Sequence, residues 1–239
     1  MSRATPKRIR RVSAAPRAPE SLQISRAPLR SEVRRVLLEH ILDGSIAPGT
    51  SVNESELALA LGVSRTPLRE ALLGLEREGF LMSETGRGFF VLPLTLRDAE
   101  ELYPILWTLE GEALAASGPY DAKRLAELRA VNDELKKAEH DAVEALRLDR
   151  RWHDVLLRGC DNARLLALID VLKDQARRYE AAYMQCSGRV ILSTRQHEAI
   201  VKALEAGDAR AAREELEQNW RVSLEFLVPW LGTRSGAPT

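Results

Sequence analysis

The sequence predicts a mainly α protein, with a small head of short helices and a β-hairpin ahead of an all-helical bundle. Three observations carry this. Apolar residues recur at helical spacing between positions 29 and 75. A hairpin pattern with glycines at its turn spans 80–92. No strand pattern appears anywhere between 95 and 231. The 239 residues suffice for two domains of ordinary size.

The first 27 residues hold Arg3, Lys7, Arg8, Arg10, Arg11, Arg17 and Arg26 against Glu20 alone, among Pro, Ala and Ser with little to bury. That composition predicts a disordered tail, which either adds non-specific phosphate contacts or is only a solvated leader. From 28 to 94 the elements run helix, helix, turn, helix, hairpin. Leu29, Val33, Val36, Leu37 and Ile41 form the stripe of the first helix, which Gly44 ends, with His40 read as a packing residue. Asn53 caps the second helix, with Glu56 three residues on as its reciprocal partner. Gly62 breaks that helix and Val63 fills the space beneath the turn. Ser64 caps the third helix, whose first turn accommodates Pro67 because no intrahelical hydrogen bond is lost there.

Leu68, Ala71, Leu72 and Leu75 give the third helix one apolar face, and Arg65, Thr66 and Arg69 begin the opposite one. Two guanidinium forks one turn apart at a helix start suit guanine edges and phosphates in a major groove. A helical hairpin with merely solvated arginines is the alternative. The flanking two-stranded wing, Phe80–Met82 and Phe89–Leu92 around the tip Thr85-Gly86-Arg87-Gly88, favours a winged helix–turn–helix that binds DNA.

After a connector at 93–97, Thr95 and Asp98 form a capping box for the first bundle helix, which Pro104 is expected to kink or restart. Its stripe reads Ile105, Leu109, Ala113, Ala116, up to the stop at Gly118-Pro119. Asp121 starts a second helix with Leu125, Leu128 and Leu135 inward. A third runs from about Asp141 to Arg158. Asn162 opens a fourth with Leu165, Leu168, Ile169, Leu172, Ala176 and Tyr179 buried. A break at Ser187-Gly188 precedes a fifth from about Ser193 to Ala206, and a last helix ends near Pro229. Six or so helices thus fill 95–231, and 232–239 is a polar tail.

The third bundle helix sets Ala142, Leu146, Asp149, His153 and Leu156 on one core-facing seam. A carboxylate and an imidazole one turn apart on such a seam are costly unless paired or liganded. His197 is the polar member of the stripe His197, Ile200, Val201, Leu204, and Asn219 that of Ala212, Leu216, Asn219, Trp220. Three helices therefore aim potential ligands into one bundle, as metal-binding bundles do. A buried Asp–His hydrogen bond with a satisfied core histidine is the other reading. His140, near a helix end, is expected to be exposed.

Composition narrows the classes. With 45% hydrophobic and 29% charged residues, balanced to zero net charge, the chain reads as a water-soluble globular protein. No apolar run approaches a membrane span and no signal peptide is visible. The two cysteines, Cys160 and Cys186, are too few for a disulfide framework, so a reducing cytoplasm is expected. A metal-dependent enzyme built on Asp149, His153 and His197 is the rival function. It lacks a separate base, a nucleophile elbow, a P-loop or a glycine-rich cofactor fingerprint, so no enzymatic activity is expected.

The run Leu29–Leu92, with PGT at 48–50 and GVSRTPLREAL at 62–72, resembles the GntR-type transcriptional regulators. The remainder resembles the FCD-type effector domain of the FadR subfamily. By that resemblance Arg65, Thr66, Arg69 and Gly86 touch operator DNA, with Ser55 and Ser64 as further candidates; Ser55 stands where some members carry arginine. Asp149, His153 and His197 match three ligands of a divalent metal (Zn, Ni or Mn), while the fourth position holds Asn219, a weaker oxygen ligand. Leu106 stands where many acid-binding members place an arginine on the effector carboxylate. Arg150, Arg178 or Arg189 are possible substitutes, and Tyr179 and Tyr183, one turn apart, are candidate pocket residues. The resemblance implies a ligand-responsive regulator, a repressor by expectation. It would bind a palindromic operator as a homodimer, since one head offers too few base contacts for tight, selective binding. A constitutive DNA-binding protein with a vestigial pocket is the duller alternative, suggested by Asn219 and Leu106.

Overall fold

The computed structural model describes residues 27–183 and 190–234. The basic tail, the expected break at Ser187-Gly188, Arg189 and the last five residues lie outside them.

The head contains α1 (Ala27–Leu42), β1 (Ser51–Val52), α2 (Glu54–Ala60), α3 (Arg65–Arg77), β2 (Leu81–Glu84) and β3 (Gly88–Val91). Asn53 caps α2 as its sequence predicts, its side-chain oxygen accepting from the amides of Ser55 and Glu56. Ser64 occupies the cap position of α3 in extended geometry, but its hydroxyl makes no capping hydrogen bond. The wing is three-stranded rather than two-stranded, in the antiparallel order β1-β3-β2, with Phe90 paired to both Ser51 and Met82. A two-residue strand carries no alternation to read, which is why β1 escaped the sequence pattern. Val33, Leu37, Leu68, Leu72, Leu75, Phe80, Phe89 and Val91 close the head's core. His40 is not a packing residue: it is exposed and faces Asp43 at 3.7 Å, because the stripe continues instead through Leu38, Ile41 and Leu42.

The second half is a bundle of α4 (Leu96–Ala116), α5 (Ala122–Lys137), α6 (Ala142–Leu157), α7 (Ala163–Tyr183), α8 (Val190–Glu205) and α9 (Ala209–Arg234). Thr95 and Asp121 cap α4 and α5, and Asp141 caps α6. Two prolines expected to interrupt or end helices do neither. Pro104 lies within a continuous α4 and Pro229 within α9. Each removes the donor for a carbonyl four residues earlier, at Glu100 and Glu225, and both of those residues are exposed to water. Leu227 and Leu231 anchor α9 on either side of Pro229.

The buried face of α4 is rotated from the expected one. Ile105 is 50% exposed and Ala116 is exposed, while Tyr103, Leu106, Glu110 and Ala113 point inward. Leu168 of α7 is likewise 58% exposed rather than buried. Leu106, Leu128, Trp152, Leu156, Ile169, Tyr179, Ile200 and Leu216 are among the residues that fill the bundle core. The last turn of α6 is held by its neighbours, the Tyr120 hydroxyl donating to the Leu156 carbonyl at 2.7 Å and Arg124 Nε to that of Val155 at 3.1 Å. These bonds satisfy orphan carbonyls at the end of the helix that carries Asp149 and His153.

Helix α7 joins the halves. Gln175 Nε2 donates to the Glu78 carbonyl and Arg178 to the Leu92 carbonyl, while within the bundle the Tyr179 hydroxyl donates to the Asp98 carboxylate at the start of α4. No described helix is long and apolar enough to cross a membrane.

Candidate functional site

Two places in the molecule concentrate chemistry. The first is the outer face of α3. Arg65, Thr66 and Arg69 are exposed there, while Leu68, Ala71, Leu72 and Leu75 are buried behind them. Arg65 donates to the Ser55 hydroxyl at 2.9 Å, and Arg69 stays 64% exposed with Glu54 no nearer than 3.6 Å. Neither guanidinium is turned inward. The wing is braced against α3, with the amide and hydroxyl of Ser83 both donating to Glu76. Its tip places Gly86 and Gly88 at φ +81° and +88°, a turn that side chains other than glycine rarely adopt.

The second is buried in the bundle, where Asp149, His153 and His197 hold their nitrogen and oxygen atoms within 4.8 Å of one another. His153 Nδ1 lies 2.9 Å from Glu110 Oε2, which also accepts from Trp220 Nε1 at 2.7 Å. His197 Nδ1 lies 3.0 Å from Asn132 Oδ1, and the Asn132 amide donates to the Thr194 carbonyl at 2.9 Å. Trp152 stacks on the His197 ring at 3.6 Å. Both imidazoles are thereby fixed with Nε2 towards Asp149, at 3.9 and 3.6 Å. Those separations are too long for hydrogen bonds. They resemble the spacing of neighbouring ligands around one ion that lies about 2.0–2.2 Å from each. His153 Nε2 is buried with no hydrogen-bond partner, an orphan that a native interior rarely keeps. The donor set of two imidazoles and a carboxylate suits a divalent transition metal.

The charges around the cluster are uneven. Burial alone would raise the Glu110 carboxyl, but His153 and Lys173 beside it bring it down to about 2. His153 is pushed up from its usual value, Glu110 outweighing the penalty of burial. His197 is held well below the usual value by burial and by His153. Glu180 is pushed up to about 7 by burial of its carboxyl and by Asp149. The shifts favour the neutral form of His197 and the protonated form of His153, and either imidazole would bind a metal ion only as the neutral ring.

A small cavity, with room for little more than a water molecule, opens on this cluster between α6 and α7. Leu146, Asp149, His153, Lys173, Arg177 and Glu180 contribute to its wall.

Comparison with known proteins bears on both places. Residues 21–91 match the bacterial regulatory proteins of the gntR family, and residues 101–221 match the FCD domain. The chain belongs to the gntR family of bacterial regulatory proteins. It is 32% identical over 202 residues to the probable D-xylose utilization operon transcriptional repressor of Paenarthrobacter nicotinovorans, covering 82% of this chain and 87% of that one. It is 29% identical over 195 residues to the HTH-type transcriptional regulator YdhC of Bacillus subtilis, covering 80% and 87%. McbR/YncC of Escherichia coli shares the fold, with a TM-score of 0.73 at 24% identity over 84% of this chain and 98% of that one. This GntR-family protein is thus a transcriptional regulator with a DNA-binding head and an effector-binding FCD domain, and not an enzyme.

The remaining expected site residues are placed as follows. Arg150 lines the cavity but is engaged by Asp170 and Asp174. Leu106 is fully buried in the apolar core, and Arg178 and Tyr179 reach the connector between the halves. Asn219 spends its amide on Gln196 at 3.0 Å. Glu110, Asn132, Lys173 and Arg177 were not expected. Glu110 had a readable signal, being a carboxylate in the run Tyr103, Leu106, Glu110, Ala113 on one face of a helix. Lys173 likewise sits four residues after Ile169 and three before Ala176.

Proposed function

We propose that this regulator is a cytoplasmic, ligand-responsive repressor that binds a palindromic operator as a homodimer. Residues 28–94 form its reading head, and residues 95–231 form its effector-binding and dimerisation domain. Ser55, Ser64, Arg65, Thr66, Arg69 and Gly86 meet the duplex, α3 entering the major groove and the wing lying against the backbone. Asp149, His153 and His197 hold one divalent metal ion (Zn, Ni or Mn), with Asn219 at most a weak further ligand. An ion held by these three side chains would supply positive charge beside Asp149, and with it an attraction for an anionic metabolite, a small carboxylate. Asn132 and Glu110 orient the two imidazoles, as outer partners of metal-bound histidines generally do. Effector binding biases the orientation of the heads and so the grip on the operator.

The observation that carries the metal is the orphaned His153 Nε2 facing Asp149. Repression is supported by the repressor role of the Paenarthrobacter relative. Elemental analysis of the purified protein, with a gel shift on its own promoter before and after chelation, tests this function. One equivalent of metal and a chelator-sensitive shift are expected. Metal-free protein with an unchanged shift would leave Glu110 and His153 as a buried structural ion pair beneath a vestigial pocket.

A further inference from the structure

We propose that Glu180 of α7, rather than Asn219 of α9, completes the cation site of the bundle, its carboxylate accepting from a water molecule held on the ion. The proposal deepens the proposed function and rests on its metal reading. It adds a residue that neither the apolar spacing nor the family resemblance pointed to.

Placement separates the two candidates. The Asn219 amide is spent on Gln196 at 3.0 Å, and its side chain has no part in the cavity wall. Glu180 shares that wall with Asp149 and His153. It makes no hydrogen bond or ion pair among the described residues. His153 Nε2, in the same wall, is buried and has no partner either. Two carboxylates and an unpartnered imidazole nitrogen therefore share one small space, an arrangement that is costly without a cation.

The nearby side chains do not supply that cation. Arg150 is taken by Asp170 and Asp174, and Lys173 lies 3.0 Å from Asp154 and 3.5 Å from Glu110. Burial and Asp149 together push the Glu180 carboxyl up, and His153, Arg177 and Lys173 do not offset them. A divalent ion makes up the deficit for both carboxylates at once. The neutral amide of Asn219 brings no charge to it.

Size says how Glu180 takes part. It stands outside the group formed by Asp149, His153 and His197, whose ligand atoms lie within 4.8 Å of one another. The cavity that these walls enclose has room for little more than a water molecule. One water on the ion, donating to Glu180, fills it. An outer carboxylate of this kind orients what the metal holds and tightens its binding. It also brings α7 to a site otherwise built from α6 and α8. The same helix donates to the head through Gln175 at Glu78 and Arg178 at Leu92.

The test titrates Co2+ into the full-length protein, following its visible absorption, with Zn2+ measured by competition against a chromophoric chelator. Glu180→Gln should weaken both ions about 10–100-fold and alter the Co2+ spectrum. Glu180→Asp should fall between that variant and the parent, and Asn219→Ala should match the parent in affinity and spectrum. Without metal, Glu180→Gln should melt no lower than the parent, because it removes a like charge from Asp149 at constant size. Unchanged affinity and spectrum in Glu180→Gln overturn the inference and leave the three-residue site standing. A loss in Asn219→Ala as large as in Glu180→Gln also overturns it, returning the fourth place to Asn219. A parent that takes up neither ion overturns the metal reading and this inference together.

Discussion

The side-chain oxygen of Asn132 lies 3.0 Å from Nδ1 of His197, and that contact decides which ring nitrogen faces the cluster. Because the Asn132 amide is spent on the Thr194 carbonyl, its oxygen is left to accept, so Nδ1 carries the proton and Nε2 the lone pair. Asn132→Ala frees the ring and its tautomer. Losses of an outer partner of this kind cost about 10–100-fold in metal affinity. Competition against a chromophoric chelator measures it, and an affinity equal to the parent would show that the contact is only packing.

Glu110 holds the other imidazole, and it does more. Its buried carboxylate accepts from Trp220 and faces both His153 and Lys173. Removing it takes the buried partner from His153 Nδ1 and Trp220 Nε1 and leaves Lys173 with Asp154 alone; breaking a buried pair in this way typically costs about 3–5 kcal/mol. Glu110→Ala should therefore unfold at markedly lower urea than the parent. Glu110→Gln, which can still accept from Trp220, should fall between them. A Glu110→Ala variant within about 1 kcal/mol of the parent would mean that the network is relaxed or hydrated, contrary to its zero exposure.

Metal binding should also show up as stability. A ligand that binds only the folded state at a hundred times its dissociation constant adds about 2.7 kcal/mol. Chelation should lower the melting temperature of the parent and leave that of His153→Ala or Asp149→Ala unmoved. Equal chelator sensitivity in all three would place any bound ion elsewhere.

The amphipathic elements of this molecule were legible because burial imposes a period. The faces of α3, α6 and α8 follow their apolar spacing, and Asp149, His153 and His197 stood out as polar breaks in it. Where helices are apolar on several sides, the period blurs. In α4 both Ile105 and Leu106 satisfy a stripe, and only packing against α9 and α7 buries the second. Pro104 and Pro229 misled because a helix breaker is judged locally, whereas exposed carbonyls behind them make their cost small. The partners of the two histidines come from α4 and α5, 43 and 65 residues away. No spacing rule within one helix links such residues.

On the head, Arg65 and Arg69 are exposed and only lightly engaged. Arg65→Ala or Arg69→Ala should each weaken specific operator binding by about 1–3 kcal/mol. The melting temperature should stay near that of the parent, since neither side chain is part of the core. A gel shift against operator and scrambled duplexes separates base readout from phosphate contact. Equal losses on both duplexes would assign the residue to the backbone.

Gly79 tests whether the two halves communicate through α7. It sits at φ +77°, and a Cβ added there would come within 2.7 Å of Gln175 Nε2. That nitrogen donates to the neighbouring Glu78 carbonyl, tying α7 to the end of α3. Gly79→Ala therefore does two separable things. It imposes a left-handed backbone on a residue with a side chain, at about 1–2 kcal/mol, and it pushes the Gln175 amide off its acceptor. Gln175→Ala removes the tie without the strain. If coupling runs through this joint, both variants should lose the effect of metal or effector on operator affinity, while only Gly79→Ala should destabilise the head. Retention of the full response in Gln175→Ala would move the coupling route to Arg178 and Tyr179, the next contacts along the same helix.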